Sequence, residues 1–140
     1  MSEFAKLRQD HADLVRMVRQ LEEMTGEPSP PPQLELFDLR RQITSTLIAH
    51  LKAEDWVLYP RLMASGDASV AAAGRAFNDE MTGLASAYSD YAARWGATAI
   101  DADWAGYCAE TRGIIEALMT RITRENRELL PLLEAIEKAA

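Results

Sequence analysis

Apolar residues recur at three- and four-residue steps along most of the chain, which is the spacing of amphipathic helices. The first predicted helix runs from Glu3 to about Met24, and Ser2 is its candidate N-cap. His11 lies in the one gap of its apolar stripe. The stripe itself consists of Phe4, Leu7, Leu14, Val18 and Leu21.

A second helix is predicted from about Gln33 to Met63, after a proline-rich connection over residues 25–32. Pro60 is expected to bend its end, because proline cannot donate the helical hydrogen bond. The apolar stripe of this helix consists of Leu36, Leu39, Ile43, Leu47 and Val57.

His50 and Glu54 lie inside that second stripe, four residues apart. Positions i and i+4 share one face of a helix, so both side chains should project toward the core. Burial of either group without a partner is costly, so we expect them to be hydrogen-bonded, ion-paired or metal-bound. A helical bundle that takes Glu and His ligands from facing helices is one way to satisfy them.

Two further helices complete the pattern. The turn Ser65-Gly66-Asp67 should cap a third helix that ends before Gly96, and Asp101 should cap a fourth that Pro131 bends. The third stripe is Val70, Phe77, Met81, Leu84, Tyr88, Tyr91 and Trp95. The fourth face carries Trp104, Tyr107, Ile114, Leu118, Arg121, Glu125 and Leu132.

No segment alternates as a strand does, so the predicted fold class is all-α. Four helices with short connections predict an antiparallel up-down-up-down four-helix bundle, formed as a single domain over residues 1–140.

The chain also repeats itself. His50, Glu54 and Pro60 recur as Arg121, Glu125 and Pro131, each displaced by 71 residues. Asp10-His11 corresponds in the same way to Glu80-Met81, displaced by 70 residues. We therefore expect two pseudo-repeated helical hairpins whose marked positions meet near the middle of the bundle.

Composition narrows the function classes. The net charge is −7 and no Lys/Arg cluster is present, so nucleic-acid binding is not expected. The apolar runs are too short to span a bilayer, and the first residues do not resemble a signal peptide. The single cysteine, Cys108, fits a reducing compartment, and a cytoplasmic location is expected.

These motifs resemble the hemerythrin-like, or HHE cation-binding, domains over essentially the whole chain. The motif elements are Asp10-His11, His50-x3-Glu54-x5-Pro60 and the weaker Arg121-x3-Glu125-x5-Pro131. The family pattern places one histidine on each of four helices, with two bridging carboxylates around a di-iron centre. The resemblance implies metal ligands at His11, His50, Glu54 and Glu125.

Two positions depart from that family pattern. Met81 and Arg121 stand where the third and fourth histidines belong, and Ala85 replaces a further histidine found in oxygen carriers. The ligands of the first hairpin are therefore retained and those of the second are lost. We expect Arg121 to occupy the place of the second metal and to pair with Glu125, and with Glu54 as a further partner. The alternative is that its long side chain reaches solvent.

Three function hypotheses follow. The first is a non-enzymatic protein with a degenerate, mononuclear centre for iron, zinc or manganese, which senses oxygen, nitric oxide or the metal itself. The second is a metal-free bundle that serves as an interaction or regulatory module. The third, an oxidase or peroxidase-like enzyme, draws only on the two-histidine, one-carboxylate arrangement of non-haem iron oxygenases.

Overall fold

The computed structural model describes the backbone of residues 3–139, and their side chains except at positions 3, 4, 137 and 139. The predicted N-cap Ser2 and the side chain of Phe4 lie outside this description. Residues 3–139 contain helices and no strand, which confirms the all-α class. The α-helices are α1 (Glu3–Thr25), α2 (Gln33–Ala53), α3 (Tyr59–Met63), α4 (Ala68–Met81), α5 (Leu84–Arg94), α6 (Ala97–Ala102), α7 (Trp104–Arg124) and α8 (Leu130–Ala139).

Two π-helical turns interrupt the long helical segments. The first π-turn, Glu54–Leu58, joins α2 to α3, and the second, Glu125–Leu129, joins α7 to α8. In each turn an N–H group donates to a carbonyl five residues back, from Tyr59 to Glu54 and from Leu130 to Glu125. A proline lies two residues after the end of each turn, and a proline ring clashes with the carbonyl four residues before it. The wider turn relieves that conflict, and π-turns of this kind are frequent at functional sites.

The first π-turn also corrects one prediction about the core. Val57 was predicted in the apolar stripe, but its side chain is 52% exposed, while Leu58 is buried. A turn with i→i+5 bonding takes more residues per turn, so the inward position moves from Val57 to Leu58. Trp56, on the same turn, is 71% exposed.

The third helix is not continuous, contrary to the prediction from its stripe. It breaks after Met81: Thr82 is extended (ψ 148°) and Gly83 has a φ of +105°. Only glycine adopts that left-handed conformation without steric cost, so Gly83 permits the break, and α5 begins at Leu84. The break lies next to Arg121, whose guanidinium donates a hydrogen bond to the carbonyl of Met81, the last residue of α4.

Helix caps were predicted with mixed success. Asp67 caps α4 as expected, because its Oδ1 accepts hydrogen bonds from the N–H groups of Ser69 and Val70. Asp101 was wrong as the cap of the long fourth helix: it lies inside the short helix α6. Asp103 caps α7 instead, accepting from the Gly106 N–H at 2.9 Å. The chain forms an extra short helix after Gly96, which moves the start of α7 two residues along.

Helix contacts place one polar level between two apolar clusters. Helix α1 contacts both α2 and α7, and α5 contacts the same two helices. One cluster includes Leu14, Leu47 and Leu118, and the other includes Leu7, Leu58 and Leu129. Five buried polar residues of the described chain fall between these two clusters: His11, His50, Glu54, Arg121 and Glu125. Two others, Arg40 and Thr111, contact Tyr91 of the first cluster.

Candidate metal centre

The four predicted ligands meet in the interior. His11 on α1 is 1% exposed and His50 on α2 is 3% exposed, while Glu54 and Glu125, which open the two π-turns, are fully buried. Each offers one ligand atom, and these atoms all lie within 4.8 Å of one another. The pseudo-repeat explains why Glu54 and Glu125 face each other, since both begin a π-turn before a proline.

The ligand atoms approach closely but do not satisfy one another. His11 Nε2 lies 3.1 Å from Glu125 Oε1 and 3.8 Å from Glu54 Oε2, and His50 Nε2 lies 3.1 Å from Glu54 Oε1. Within the described part of the chain, both Nε2 atoms, Glu54 Oε2 and Glu125 Oε1 have no hydrogen-bond partner. Four buried polar atoms that lack partners and point into one small volume are what a metal ion would satisfy.

The other nitrogen of each imidazole has a partner that fixes the ring. His50 Nδ1 lies 3.1 Å from Asp10 Oδ2, and His11 Nδ1 lies 2.7 Å from Asn126 Oδ1. Both partner atoms are acceptors, so each Nδ1 carries a proton and donates. Nε2 of a neutral imidazole is then left with its lone pair toward the cluster, which is the tautomer a metal ligand requires. The two rings are 4.7 Å apart and edge-to-face.

Arg121 is buried beside this cluster and does not reach solvent. Its side chain is 1% exposed, and its Nη2 lies 3.1 Å from Glu54 Oε1 and 2.8 Å from Asp55 Oδ1. Nη1 donates to the Met81 carbonyl at 2.9 Å. The predicted main partner, Glu125, is more distant: its Oε2 is 3.6 Å from Nε. The pairing therefore favours Glu54 and Asp55, because the long side chain extends across to the first π-turn rather than along its own helix.

Tyr59 completes the polar cluster. It is fully buried, its hydroxyl donates a hydrogen bond to Glu125 Oε2, and its ring faces the Arg121 guanidinium at 5.3 Å. Glu125 thus has one oxygen bonded to Tyr59 and the other, Oε1, left toward His11.

The electrostatics of the metal-free cluster favour protonated imidazoles. Burial opposes the positive charge on His11, but the facing carboxylates of Glu125 and Glu54 outweigh burial and raise its pKa to about 10. The pKa of His50 is also raised, since the Glu54 carboxylate that faces it at 3.1 Å outweighs burial. Burial acts against ionisation of Glu54, yet the two histidines hold its pKa well below the usual range. Burial and the charge of Glu54 raise the pKa of Glu125.

The positions that depart from the family pattern supply no histidine ligands to a second ion. Met81 is half-buried and its side chain packs against the cluster around Tyr59 and Phe77. Ala85 packs against the other apolar cluster. The place next to Glu54 on that side holds the Arg121 guanidinium. Among the described residues, the four side chains that could hold a metal ion are therefore His11, His50, Glu54 and Glu125.

Several residues of the cluster were not assigned a role from the sequence. Asp10 was noted only as part of a motif, and Asp55, Tyr59 and Asn126 were not assigned at all. One signal could have found two of them: Asp55 and Asn126 directly follow the two carboxylates and are themselves 71 residues apart. Tyr59 has no such signal, because its counterpart in the repeat is Leu130.

An all-α fold with two histidines and two carboxylates converging in its core defines a helical protein with a candidate metal centre. Residues 3–133 match the family model of the hemerythrin HHE cation-binding domain, and the chain belongs to that family. Searches of curated proteins and of solved structures returned no match. Among the described residues, no helix is both long and apolar enough to cross a membrane.

Proposed function

We propose that this protein binds one divalent transition-metal ion per chain through His11, His50, Glu54 and Glu125. The observation that supports the proposal is the convergence of four buried ligand atoms that have no hydrogen-bond partner. Asp10 and Asn126 would hold the two imidazoles in the required tautomer, as partners of metal-binding histidines commonly do.

Charge balance supports a single divalent ion. Glu54, Glu125 and Asp55 carry three negative charges at neutral pH when ionised, and Arg121 supplies one positive charge among them. The two remaining negative charges match one divalent cation beside neutral imidazoles. A second ion would need the volume and the carboxylate lone pairs that Arg121 uses, so we propose a mononuclear centre.

The donor set favours iron, zinc or manganese. Two imidazole nitrogens and two carboxylate oxygens suit borderline divalent metals, and none of the four ligands is a thiolate. Membership of the hemerythrin family favours iron. When bound, ferrous iron supplies redox chemistry and affinity for diatomic molecules, so we propose a role in sensing oxygen, nitric oxide or the metal. We also propose a cytoplasmic location, since a chain with one cysteine forms no internal disulfide and fits a reducing compartment.

We also propose that these helices form an antiparallel up-down-up-down bundle of four helical segments. Contacts of α1 with α2 and α7, and of α5 with the same two helices, support a four-membered ring of neighbours.

A second candidate is a metal-free bundle that acts as an interaction or regulatory module. One observation favours it: Arg121 already gives the buried carboxylates a positive partner. In that case protonated His11 and His50 would supply the remaining positive charge at neutral pH.

Metal titration of the purified, chelator-treated protein tests the proposal. Anaerobic Fe(II), and separately Zn(II) and Mn(II), should each bind at no more than one equivalent per chain. His11→Ala and His50→Ala should each abolish tight binding, because each removes half of the nitrogen ligands. Glu128→Ala is the matched control: this exposed carboxylate on the second π-turn pairs with Arg124, away from the cluster.

The outcomes separate the candidates. Two tightly held ions per unmodified chain would refute a mononuclear centre, and no binding at all would favour the metal-free module. For sensing, the Fe(II)-loaded protein should change its absorption spectrum with nitric oxide or oxygen, and His50→Ala should not. Turnover of peroxide by the iron-loaded protein would instead support the enzymatic reading.

A further inference from the structure

The two candidate carboxylate ligands are each held by a donor on one side. Glu125 Oε1 faces His11 Nε2 at 3.1 Å, while Oε2 accepts the hydrogen bond of the Tyr59 hydroxyl. Glu54 Oε1 lies 3.1 Å from both His50 Nε2 and Arg121 Nη2. Glu54 Oε2 has no hydrogen-bond partner among the described residues. Each carboxylate therefore has only part of its acceptor capacity available for a metal ion.

The Tyr59 hydroxyl has little freedom to leave this position. The residue starts α3 directly after the first π-turn, and its N–H donates to the Glu54 carbonyl. Its ring packs within the cluster that includes Phe77 and Leu129, with the Arg121 guanidinium over one side. The backbone, the ring and the hydroxyl are thus all held by neighbours at the same level as the ligands.

We propose that Tyr59 and Arg121 are positioning residues that restrict Glu125 and Glu54 to terminal, one-oxygen ligation and thereby limit the centre to one ion. This inference rests on the proposed metal binding. A carboxylate that bridges two ions uses both of its oxygens, whereas the phenol of Tyr59 already takes up acceptor capacity of Glu125 Oε2. The Tyr59 hydroxyl bonds Glu125. The repeat counterpart of Tyr59 is Leu130, which has no hydroxyl, so Glu54 receives no equivalent bond from a phenol. Arg121 performs the corresponding role at Glu54.

Tyr59→Phe tests this role with the smallest possible change, since it removes only the hydroxyl. Co(II) is the probe, because the intensity of its visible absorption reports the number and geometry of its ligands. The variant should still bind one equivalent, with an affinity about 10- to 100-fold weaker, as is typical when a partner of a metal ligand is lost. Its Co(II) bands should also weaken, because the freed Glu125 Oε2 can join the ion and raise the coordination number.

Tyr91→Phe is the matched control. Tyr91 is also buried and also loses one hydroxyl hydrogen bond, to Thr111, but it lies in the other apolar cluster. Its Co(II) affinity and spectrum should equal those of the unmodified protein, even though its thermal stability falls.

The spectrum distinguishes positioning from simple structural support. If Tyr59→Phe is destabilised but keeps the affinity and the Co(II) bands of the unmodified protein, the proposed role of Tyr59 is overturned. Failure of the unmodified protein to bind Co(II), Fe(II) or Zn(II) overturns the proposed function, and this inference with it. A weakened affinity with altered bands in Tyr59→Phe alone supports the proposal.

Discussion

Arg121 Nη2 lies 3.1 Å from Glu54 Oε1, and both side chains are almost completely buried. In the repeat, Arg121 is the counterpart of His50, which contacts the same oxygen of Glu54 at the same distance. One carboxylate oxygen is therefore shared between a retained ligand residue and its substituted counterpart. A guanidinium therefore contacts Glu54 at the repeat position that corresponds to the His50 imidazole.

Replacement of Arg121 by methionine should destabilise the metal-free protein. Arg121→Met keeps much of the side-chain volume but leaves Glu54 and Asp55 without their guanidinium partner. Removing one member of a buried ion pair typically costs on the order of 3 kcal/mol. Urea unfolding at neutral pH measures the change in the free energy of unfolding.

Arg127→Met is the control for that measurement, since Arg127 is exposed on the second π-turn. It should change stability by less than about 0.5 kcal/mol, as is usual for surface substitutions. An unchanged unfolding midpoint for Arg121→Met would show that the guanidinium contributes no net stability to the cluster.

The metal-free protein should lose stability as the pH rises from about 6.5 to about 10. The pKa of His11 is raised from 6.5 to about 10, because its contacts with Glu125 and Glu54 outweigh burial. The folded state therefore holds a proton that the unfolded state has released in that interval. The resulting stabilisation is fully present below pH 6.5 and is lost as the pH rises through 10, with a limiting slope of about 1.4 kcal/mol per pH unit for one proton.

Chemical denaturation at several pH values, in the presence of a chelator, checks this dependence. His11→Gln should flatten the curve between pH 6.5 and 10, because glutamine does not titrate. A saturating divalent metal should also flatten it, since the ion replaces the proton on Nε2. A stability that rises over this interval in the chelated protein would contradict the assigned protonation.

Helical periodicity was sufficient to predict the all-α class. The internal repeat and the family resemblance singled out His11, His50, Glu54 and Glu125, whose ligand atoms lie within 4.8 Å of one another. Periodicity could not reveal the π-turns, because over five residues an inward Val57 and an inward Leu58 fit the stripe equally well. It also missed the break at Gly83: Phe77, Met81 and Leu84 keep helical spacing across a point where the helix stops. The glycine itself was the available signal.

The partner of Arg121 could not be obtained from spacing either. Glu125 is four residues along the same helix and was the expected partner, yet the guanidinium bonds Glu54 and Asp55 on a neighbouring segment. A long side chain can reach several acceptors, and which one it contacts depends on the packing of facing helices. Asp55 is a partner because the fold brings the first π-turn within reach of Arg121 on α7.

Asp10 should matter for metal affinity although it touches no ion. Its Oδ2 accepts from His50 Nδ1 and so directs Nε2 toward the cluster. Asp10→Asn removes the negative charge that strengthens this bond, and should weaken metal affinity by about 10- to 100-fold. Competition with a chromophoric zinc chelator measures the loss. Asp13, one turn further along α1, accepts hydrogen bonds from Gln9 and Arg16, so the control variant Asp13→Asn should leave metal affinity unchanged. Equal metal affinities for the two variants would contradict the role of Asp10.

The structure retains acceptors that a restored second site would need. His11 bonds Asn126, and the repeat counterparts of these two residues are Met81 and Asp55. By the same symmetry, the His50–Asp10 pair corresponds to Arg121 and Glu80. At present Asp55 bonds Arg121, and Glu80 pairs with Arg124 on the surface.

Met81→His combined with Arg121→His should therefore permit a second metal ion. The double substitution removes the guanidinium that bonds Glu54 and Asp55 and adds two imidazoles. Asp55 is then free to accept a hydrogen bond from one of them. We expect two equivalents of Co(II) or Fe(II) per chain, against one for the unmodified protein, measured by titration and by metal analysis after gel filtration. Met81→His alone is the control and should remain at one equivalent, because Arg121 still bonds Glu54. If the double variant keeps its helical circular dichroism and still takes up a single ion, the alignment of the two hairpins is wrong, and the loss of the second site involves more than these two residues.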